Sequence, residues 1–302
     1  MASEQRSERA TPHRLRAGFR AMCITIMFFT AAVLPALEVD AEGTFGNLGF
    51  VHDRQAGDAD LGADTYPWGS RLAVTGTVLD GFLLTGAYER DSVLRNTVAV
   101  TVGYSGQIMS VGAGPFVGFI VDSDNPYLLK PGLSARLRAE LWDTGFLSLE
   151  SDATLDPQLS STSTDFRQFR ITPRAGIYLP NIITSLEFDR STLLYTDGDA
   201  TTLDRRSEYT LSTEVFQKAI PYRILVRFGY RSELKDFADN TRHALGAAVF
   251  TPGITYAPND TVTLRARLEN GIYVWGQEEL LGEIQRDRYF FEGTLGLTLR
   301  LP

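Results

Sequence analysis

The sequence predicts an all-β fold, a closed antiparallel β-barrel that crosses a membrane with about fourteen strands. Three features predict it. Residues 1–41 have the features of an export leader, the residues after it alternate between apolar and polar with a period of two, and short turns alternate with longer polar connections. Because successive side chains of a strand face opposite sides, this period gives each strand one apolar and one polar face.

The composition excludes several other classes of protein. The 302 residues include 29 Lys+Arg and 37 Asp+Glu, which gives a formal net charge of -8. A general nucleic-acid binder usually carries a basic excess, so no nucleic-acid partner is expected. The single cysteine is Cys23, and the three histidines are His13, His52 and His243. A disulfide framework and a multi-cysteine zinc site are therefore excluded, and we expect neither a metal site nor a cofactor.

The leader has the three parts of a secretory signal peptide. Residues 1–20 carry five arginines, an apolar run follows from Ala21 to Leu37, and Val39-Asp40-Ala41 offers a small-residue cleavage site. The alternative is a permanent membrane anchor, but the run is shorter than the roughly 20 residues that a spanning helix needs. We predict a cleaved signal peptide over 1–41 and a single barrel domain over 42–302.

Fourteen segments have the alternation expected of strands. A typical one is 132–142, where Leu133, Leu137 and Leu141 alternate with charged residues. The predicted strands are 44–52, 69–79, 82–90, 97–104, 107–121, 132–142, 146–153, 167–179, 182–194, 208–217, 222–232, 242–256, 261–275 and 288–301. An even number brings both termini to the same side of the membrane, as bacterial barrels require, and twelve strands is the alternative count.

The connections between these segments are of two kinds. One kind is tight and contains turn residues, as at Asp80-Gly81 and Pro180-Asn181. The other kind is longer and polar, as over 53–68, 195–207 and 276–287. Short periplasmic turns and long extracellular loops are typical of outer-membrane barrels.

The tight turns also predict which charges face each other across neighbouring strands. A hairpin centred on Thr144 places Arg138 opposite Glu150 and Arg136 opposite Asp152. A hairpin centred between Pro180 and Asn181 places Arg174 opposite Glu187, with Asp189 diagonal to Arg170. Opposite charges on facing positions stabilise a strand pair, although chance pairing in a charged sequence is the alternative.

Aromatic residues collect near both ends of the predicted strands, which predicts two interfacial girdles. The girdle near the short turns is expected to contain Tyr104, Trp142, Phe146, Tyr178, Phe216, Tyr222 and Tyr256. The girdle near the long loops is expected to contain Trp68, Tyr88, Tyr195, Tyr209, Tyr230, Tyr273, Trp275 and Tyr289.

On these features the chain resembles Gram-negative outer-membrane β-barrels, and in size and strand count it is similar to the fourteen-stranded monomeric porins of the porin G type. The resemblance implies an outer-membrane location, a monomer, and contact with membrane lipid and lipopolysaccharide. It also implies insertion by the barrel-assembly machinery, whose recognition signal the last strand, Tyr289 to Pro302, resembles.

The polar faces suggest what the lumen does. Arginine is planar, always charged and suited to binding carboxylate-like or sulfate-like groups. We predict a porin-like channel for passive diffusion of small polar or anionic solutes through a lumen lined by arginines and carboxylates. The predicted pore-lining residues are Arg136, Arg138, Arg170, Arg174, Arg223, Arg227, Arg265, Arg267, Arg300, Glu150, Asp152, Glu187, Glu214, Glu269 and Glu292.

Two alternatives stay open. In the first, the charges neutralise one another and fill the bore, which would leave a structural, adhesive or lipid-binding barrel without a pore. In the second, the barrel is an outer-membrane hydrolase. A serine hydrolase needs a histidine base near its nucleophile, and neither His52 nor His243 has a recognisable partner motif. His243 is expected to face lipid or the girdle, and the prediction is that the protein is not an enzyme.

Overall fold

The computed structural model describes residues 36–46, 68–91, 95–120, 128–155, 164–198, 200–236, 242–276 and 289–301. Fourteen strands in these ranges form one closed antiparallel barrel, which confirms the predicted fold class and the count of fourteen rather than twelve. The strands are β1 (Leu37–Gly46), β2 (Trp68–Leu79), β3 (Phe82–Asp91), β4 (Arg95–Ser105), β5 (Met109–Ile120), β6 (Leu128–Leu141), β7 (Gly145–Thr154), β8 (Thr164–Leu179), β9 (Ile182–Asp197), β10 (Ala200–Phe216), β11 (Tyr222–Asp236), β12 (Arg242–Tyr256), β13 (Val262–Gly276) and β14 (Tyr289–Leu301).

Each strand pairs with its neighbours in sequence, and β1 pairs with β14 to close the ring. Closure leaves no strand edge, so the backbone can satisfy its hydrogen bonds within the sheet, as hydrocarbon surroundings require. Among the described residues there is no helix of the length and apolarity needed to span a membrane.

The tight connections lie together at one end of the barrel, called here the turn end; the opposite end is the loop end. Gly81 and Asn181 occupy the left-handed region, with φ of 78° and 63°. Glycine and asparagine tolerate this conformation, which two-residue hairpin turns need. The predicted turns at Asp80-Gly81 and Pro180-Asn181 are therefore confirmed.

The two predicted hairpin registers had different outcomes. Arg174 lies opposite Glu187, and Arg170 lies opposite Ser191 and diagonal to Asp189, as predicted. The other hairpin is displaced by two positions, because its turn is centred on Asp143 rather than Thr144 and Trp142 adopts a left-handed φ of 51°. Arg136 therefore faces Glu150, whereas Arg138 faces Ser148 and Asp152 faces Ser134.

The first strand lies earlier in the chain than predicted. It spans Leu37–Gly46 rather than 44–52, and the remainder of the predicted segment lies outside the described residues. Leu37 to Ala41 are part of this strand and pair with both β14 and β2. Residues assigned to the leader on sequence alone thus contribute half of β1.

The connection between β9 and β10 is also shorter than predicted. Residues 195–207 were expected to form a loop, but the two strands continue to the pair Ala200 and Asp197, and Gly198 in the turn has a φ of 57°. The residues of β9 and β10 nearest this turn are mostly polar, so the apolar alternation that identifies a membrane-facing strand is absent there.

The apolar faces form the outside of the barrel. Leu186, Phe228 and Leu295 are 64%, 57% and 60% exposed on successive parts of the wall, as expected for side chains that contact lipid. Tyr222 stacks on Tyr256 at the turn end with ring centroids 4.7 Å apart, while Tyr209, Tyr230 and Trp275 are exposed towards the loop end.

Several predicted girdle residues lie inside the barrel instead. Phe146 is 2% exposed and lies under the Arg138 guanidinium, whose carbon is 4.0 Å from the ring centroid. Tyr178 donates a hydrogen bond to Glu140 at 2.7 Å, and Tyr273 is 1% exposed. The position of a residue along its strand predicts its height in the barrel. Whether its side chain faces lipid or lumen depends instead on its parity, that is, on whether it is an odd or an even residue of the alternating strand.

Candidate functional site: the charged interior

Ion pairs across the barrel identify its inner face. Arg170 on β8 donates to Glu89 on β3 at 2.7 Å. Arg206 on β10 donates to Asp91 on β3 at 3.1 Å. These strands are five and seven positions apart in a closed ring of fourteen, so the side chains meet across the lumen and not along the wall. We call Glu89, Asp91, Arg170 and Arg206 the charge bridge.

The strand registers place all fifteen predicted residues on the same side of the sheet as the charge bridge. Several form ion pairs with a residue on the adjacent strand or on the next strand but one. Arg136 lies 3.8 Å from Glu150, Arg223 lies 3.2 Å from Glu214, and Glu187 contacts both Arg227 at 2.8 Å and Arg174 at 3.8 Å.

The other predicted residues have different surroundings. Arg300 pairs with Glu38 at 2.8 Å, and Arg265 pairs with Asp40. Arg138 pairs with Glu140 at 2.6 Å instead of with Glu150. Asp152 lies opposite Arg170, whose guanidinium reaches Glu89. Arg267 makes no hydrogen bond or ion pair with any residue in the described ranges.

The turn end contains an open cavity of about 360 Å³. Four arginines line it, contributed by β11, β13 and β14: Arg223, Arg265, Arg267 and Arg300. Its acidic lining residues are Glu214 and Asp260. We call this cavity the arginine vestibule. Its lining has more positive than negative side chains, although Glu38 and Asp40 reach two of the arginines from β1.

The loop half of the interior is much more tightly filled. Arg231 is 4% exposed and contacts Glu208 at 2.7 Å and Glu269 at 2.6 Å. Glu233 accepts a hydrogen bond from Tyr273 at 3.2 Å. Glu269 also lies directly opposite Glu292, so two like charges face each other beside Arg231. We call this group the Arg231 cluster.

Apolar side chains complete the filling of the loop half. Leu128, Phe166 and Leu193 form one buried cluster on the inner faces of β6, β8 and β9. Leu245, Ala247, Val249, Tyr273 and Phe290 form a second one on β12 to β14. His243 shares the inward register of Leu245 and not the lipid-facing position predicted for it. His52 lies outside the described residues.

Sequence reasoning missed most of the loop-half charges. Glu89 and Asp91 are the last inward positions of β3, and Arg206 lay in a predicted loop. Arg231 lay in the predicted strand 222–232 but was not among the predicted lining residues. Extending the inward and outward alternation of each strand to its observed end would have identified these residues as inward-facing. Within the described ranges, no three His, Cys, Asp or Glu side chains are grouped so that they could hold a metal ion.

No protein-family model matches the chain, and no curated protein matches its sequence. Solved outer-membrane barrels resemble its structure. A loop-deletion mutant of OmpT, an outer membrane protein of Vibrio cholerae, is 11% identical with a TM-score of 0.47, and the match covers 88% of this chain and 98% of that one. The KdgM porin is 11% identical with a TM-score of 0.35, covering 87% and 98%, and the NanC porin is 10% identical with a TM-score of 0.41, covering 87% and 100%.

Proposed function

We propose that the protein is an outer-membrane channel of the porin type that admits small polar or anionic solutes. The observation that carries this proposal is the arginine vestibule. Four arginines converge there against two acidic lining residues, and Arg267 has no ion-pair partner among the described residues. A guanidinium without an ion-pair partner in an open cavity can bind an anion without first breaking an ion pair with a carboxylate of the protein.

The predicted lining residues divide into two zones in this proposal. Arg136, Arg174 and Arg223 belong to the turn half, where side chains are only partly buried. Arg170 belongs to the charge bridge, where opposite walls meet. A solute would therefore be selected by charge at the vestibule and by size at the bridge.

A second function is favoured by the charge bridge itself. Side chains that join opposite walls could close the bore, leaving a structural, adhesive or lipid-binding barrel without conduction. Catalysis is not part of either proposal. Insertion through the last strand, Tyr289 to Pro302, by the barrel-assembly machinery and a monomeric state remain predictions from the resemblance.

Conductance in a planar bilayer tests the channel proposal. The purified protein is expected to give reproducible single-channel steps, with a reversal potential under a salt gradient that favours anions. Arg267→Glu should move that potential towards cations. Arg242→Glu is the matched control, since it makes the same charge change at the exposed loop end, where Arg242 pairs with Asp236.

A folded, inserted protein that never conducts would overturn the channel proposal in favour of the closed barrel. Conductance with the same reversal potential in both variants would place the selective charge elsewhere than in the vestibule.

A further inference from the structure

The outer wall carries arginines at one end only. In the described strands, the arginines on lipid-facing positions are Arg90, Arg167, Arg190, Arg205 and Arg242, and each lies in the loop half of its strand. The outward positions of the turn half are largely apolar, as at Leu186, Val215 and Leu295. A cation on the lipid-facing wall is far more costly at the midplane of the hydrocarbon than near either interface. The absence of outward arginines from the middle of the described wall is therefore physically expected, but their clustering at the loop end needs its own explanation.

Three of these arginines lie on consecutive strands. Arg167 on β8 faces Leu194 on β9, and Arg205 on β10 faces Thr192 on β9. Arg190 is the next outward residue of β9 below Thr192, so it is diagonal to Arg205, roughly 7–8 Å away. Arg190 makes no ion pair with any residue that the structure describes. Arg167, Arg190 and Arg205 are called the rim triad.

The height of the rim triad corresponds to a lipid headgroup layer. Arg190 is eight residues above Ile182 and Arg205 is ten residues above Val215, at the turn ends of their strands. With about 3.3 Å per residue and a tilt near 40°, these arginines lie roughly 20 and 25 Å above the turn end. That is close to the top of an apolar band about 25 Å tall.

Aromatic residues mark the same boundary. The rings of Phe188 and Tyr209 lie 4.7 Å apart on the outer wall, and Tyr209 is 58% exposed. Phe188 and Tyr209 face each other one outward step below Arg190 and Ser207. Aromatic side chains with a polar tip prefer the interface, so the rim triad begins where the girdle ends.

Two described acids near the rim triad form hydrogen bonds with cations outside it, and Asp236 also lies near Arg205. Asp236 accepts two hydrogen bonds from Arg242, at 2.7 and 3.0 Å. Asp165 accepts two from Lys130, at 2.8 and 3.0 Å. Arg190, Arg205 and Arg242 thus outnumber Asp236 on this part of the outer wall. The excess positive charge faces the headgroup layer, where phosphate is an anion that guanidinium binds in bidentate fashion.

We propose that the rim triad on β8 to β10 is a binding site for the phosphate groups of an anionic membrane lipid in the leaflet at the loop end. The lipid would lie against the girdle with its acyl chains on Phe169 and Leu186 and its phosphates between Arg190 and Arg205. This inference rests on the insertion of the barrel in a membrane, which is part of the proposed function, but not on whether the lumen conducts.

Thermal unfolding in vesicles tests this site. The purified protein is inserted in phosphatidylcholine vesicles with increasing phosphatidylglycerol, and the unfolding temperature is expected to rise with the anionic fraction. Arg167→Gln, Arg190→Gln and Arg205→Gln together should lose most of that rise. The matched control removes the same charge from the inner face, with Arg136→Gln, Arg174→Gln and Arg223→Gln, and should keep the rise.

The other outcomes are decisive as well. An equal rise in the rim-triad variant and the inner-face control would overturn the proposed site. A rise produced by free inorganic phosphate in neutral vesicles would show a site for soluble anions and would overturn its assignment to lipid. Failure of the unaltered protein to insert in any vesicle would overturn the proposed membrane function together with this inference, whereas insertion without a lipid dependence would overturn the inference alone.

Discussion

Arg231 is the most enclosed arginine of the ion pairs formed by the described residues, and only Lys130, at 1%, is a more buried cation among them. The Arg231 side chain is 4% exposed, and it lies between Glu208 and Glu269, each 15% exposed. Removing an arginine and a carboxylate from water costs several kcal/mol per ion, which their attraction offsets only when both stay in place. The intact Arg231 cluster therefore adds little net stability to the protein. Removing any one of its members is nevertheless strongly destabilising, because the remaining buried charges lose their partner.

Arg231→Met tests this at the level of one side chain. The substitution keeps much of the volume and leaves Glu208 and Glu269 without their shared cation, so we expect a loss of about 3–5 kcal/mol in the free energy of unfolding. Urea unfolding of the protein in vesicles measures it. Arg223→Met is the control: its pair with Glu214 is 56% exposed on the arginine side, and such pairs contribute at most about 1 kcal/mol. Equal losses would contradict the difference in burial.

Among the elements, β1 has a double role, since it is both the end of the ring and a source of interior charge. Its outward residues pair with β14 and β2, and its inward residues Glu38 and Asp40 reach Arg300 and Arg265. Cleavage after Ala41 would remove five of its ten residues and both of these ion pairs. We therefore propose that the leader ends at the earlier small residue Ala36, directly before the strand.

The N-terminus of the mature protein decides this. Edman sequencing or intact mass of protein purified from outer membranes is expected to give Leu37 as the first residue. A first residue of Glu42 would mean that the ring closes through 42–46 alone. In that case Arg300 would lose Glu38 and Arg265 would lose Asp40 and keep only Glu42, 4.0 Å away. The arginine vestibule would then be more positive than its present contacts indicate.

The hairpins show how far a period of two predicts this fold. The turn at Pro180-Asn181 was placed correctly because asparagine supplies the left-handed residue that a two-residue turn requires. The turn at Asp143 was displaced because a tryptophan, Trp142, adopts that conformation, and no propensity predicts it. The loop-end parts of β9 and β10 were missed because strand residues beyond the apolar band do not need an apolar face.

The candidate site was predictable to the same extent. The alternation of apolar and polar residues identified Arg170 and Arg223 as inward-facing, since this alternation is a property of each strand by itself. It could not identify the contact of Arg170 with Glu89, because that contact depends on the cross-section of the whole ring. The turn residues determine which residues pair between neighbouring strands, whereas contacts across the lumen depend on the shape of the closed barrel.

At the scale of the whole molecule, the charge bridge indicates a flattened barrel. A circular ring of fourteen tilted strands would be roughly 28 Å across, from a strand spacing near 4.8 Å and a tilt near 40°. An arginine and an aspartate on opposite walls cannot span that distance, yet Arg206 and Asp91 are 3.1 Å apart. The walls carrying β3 and β10 must therefore approach each other at this level, while the turn end keeps its open cavity.

Shortening one arm of the charge bridge tests whether it limits passage. Arg206→Ala removes the side chain that crosses the lumen from β10 to Asp91, so single-channel conductance is expected to rise well above that of the unaltered protein. Arg206→Lys keeps the charge and most of the length and should conduct like the unaltered protein, which controls for the loss of charge. If Arg206→Ala folds, inserts and conducts no better than Arg206→Lys, the contact between Arg206 and Asp91 is not the constriction. The remaining obstacles inside the barrel would then be the pair of Arg170 with Glu89 and the apolar clusters of the loop half. Arg170→Ala in the same assay separates these two, since a rise in conductance would assign the constriction to the ion pair and no rise would assign it to the packed apolar side chains.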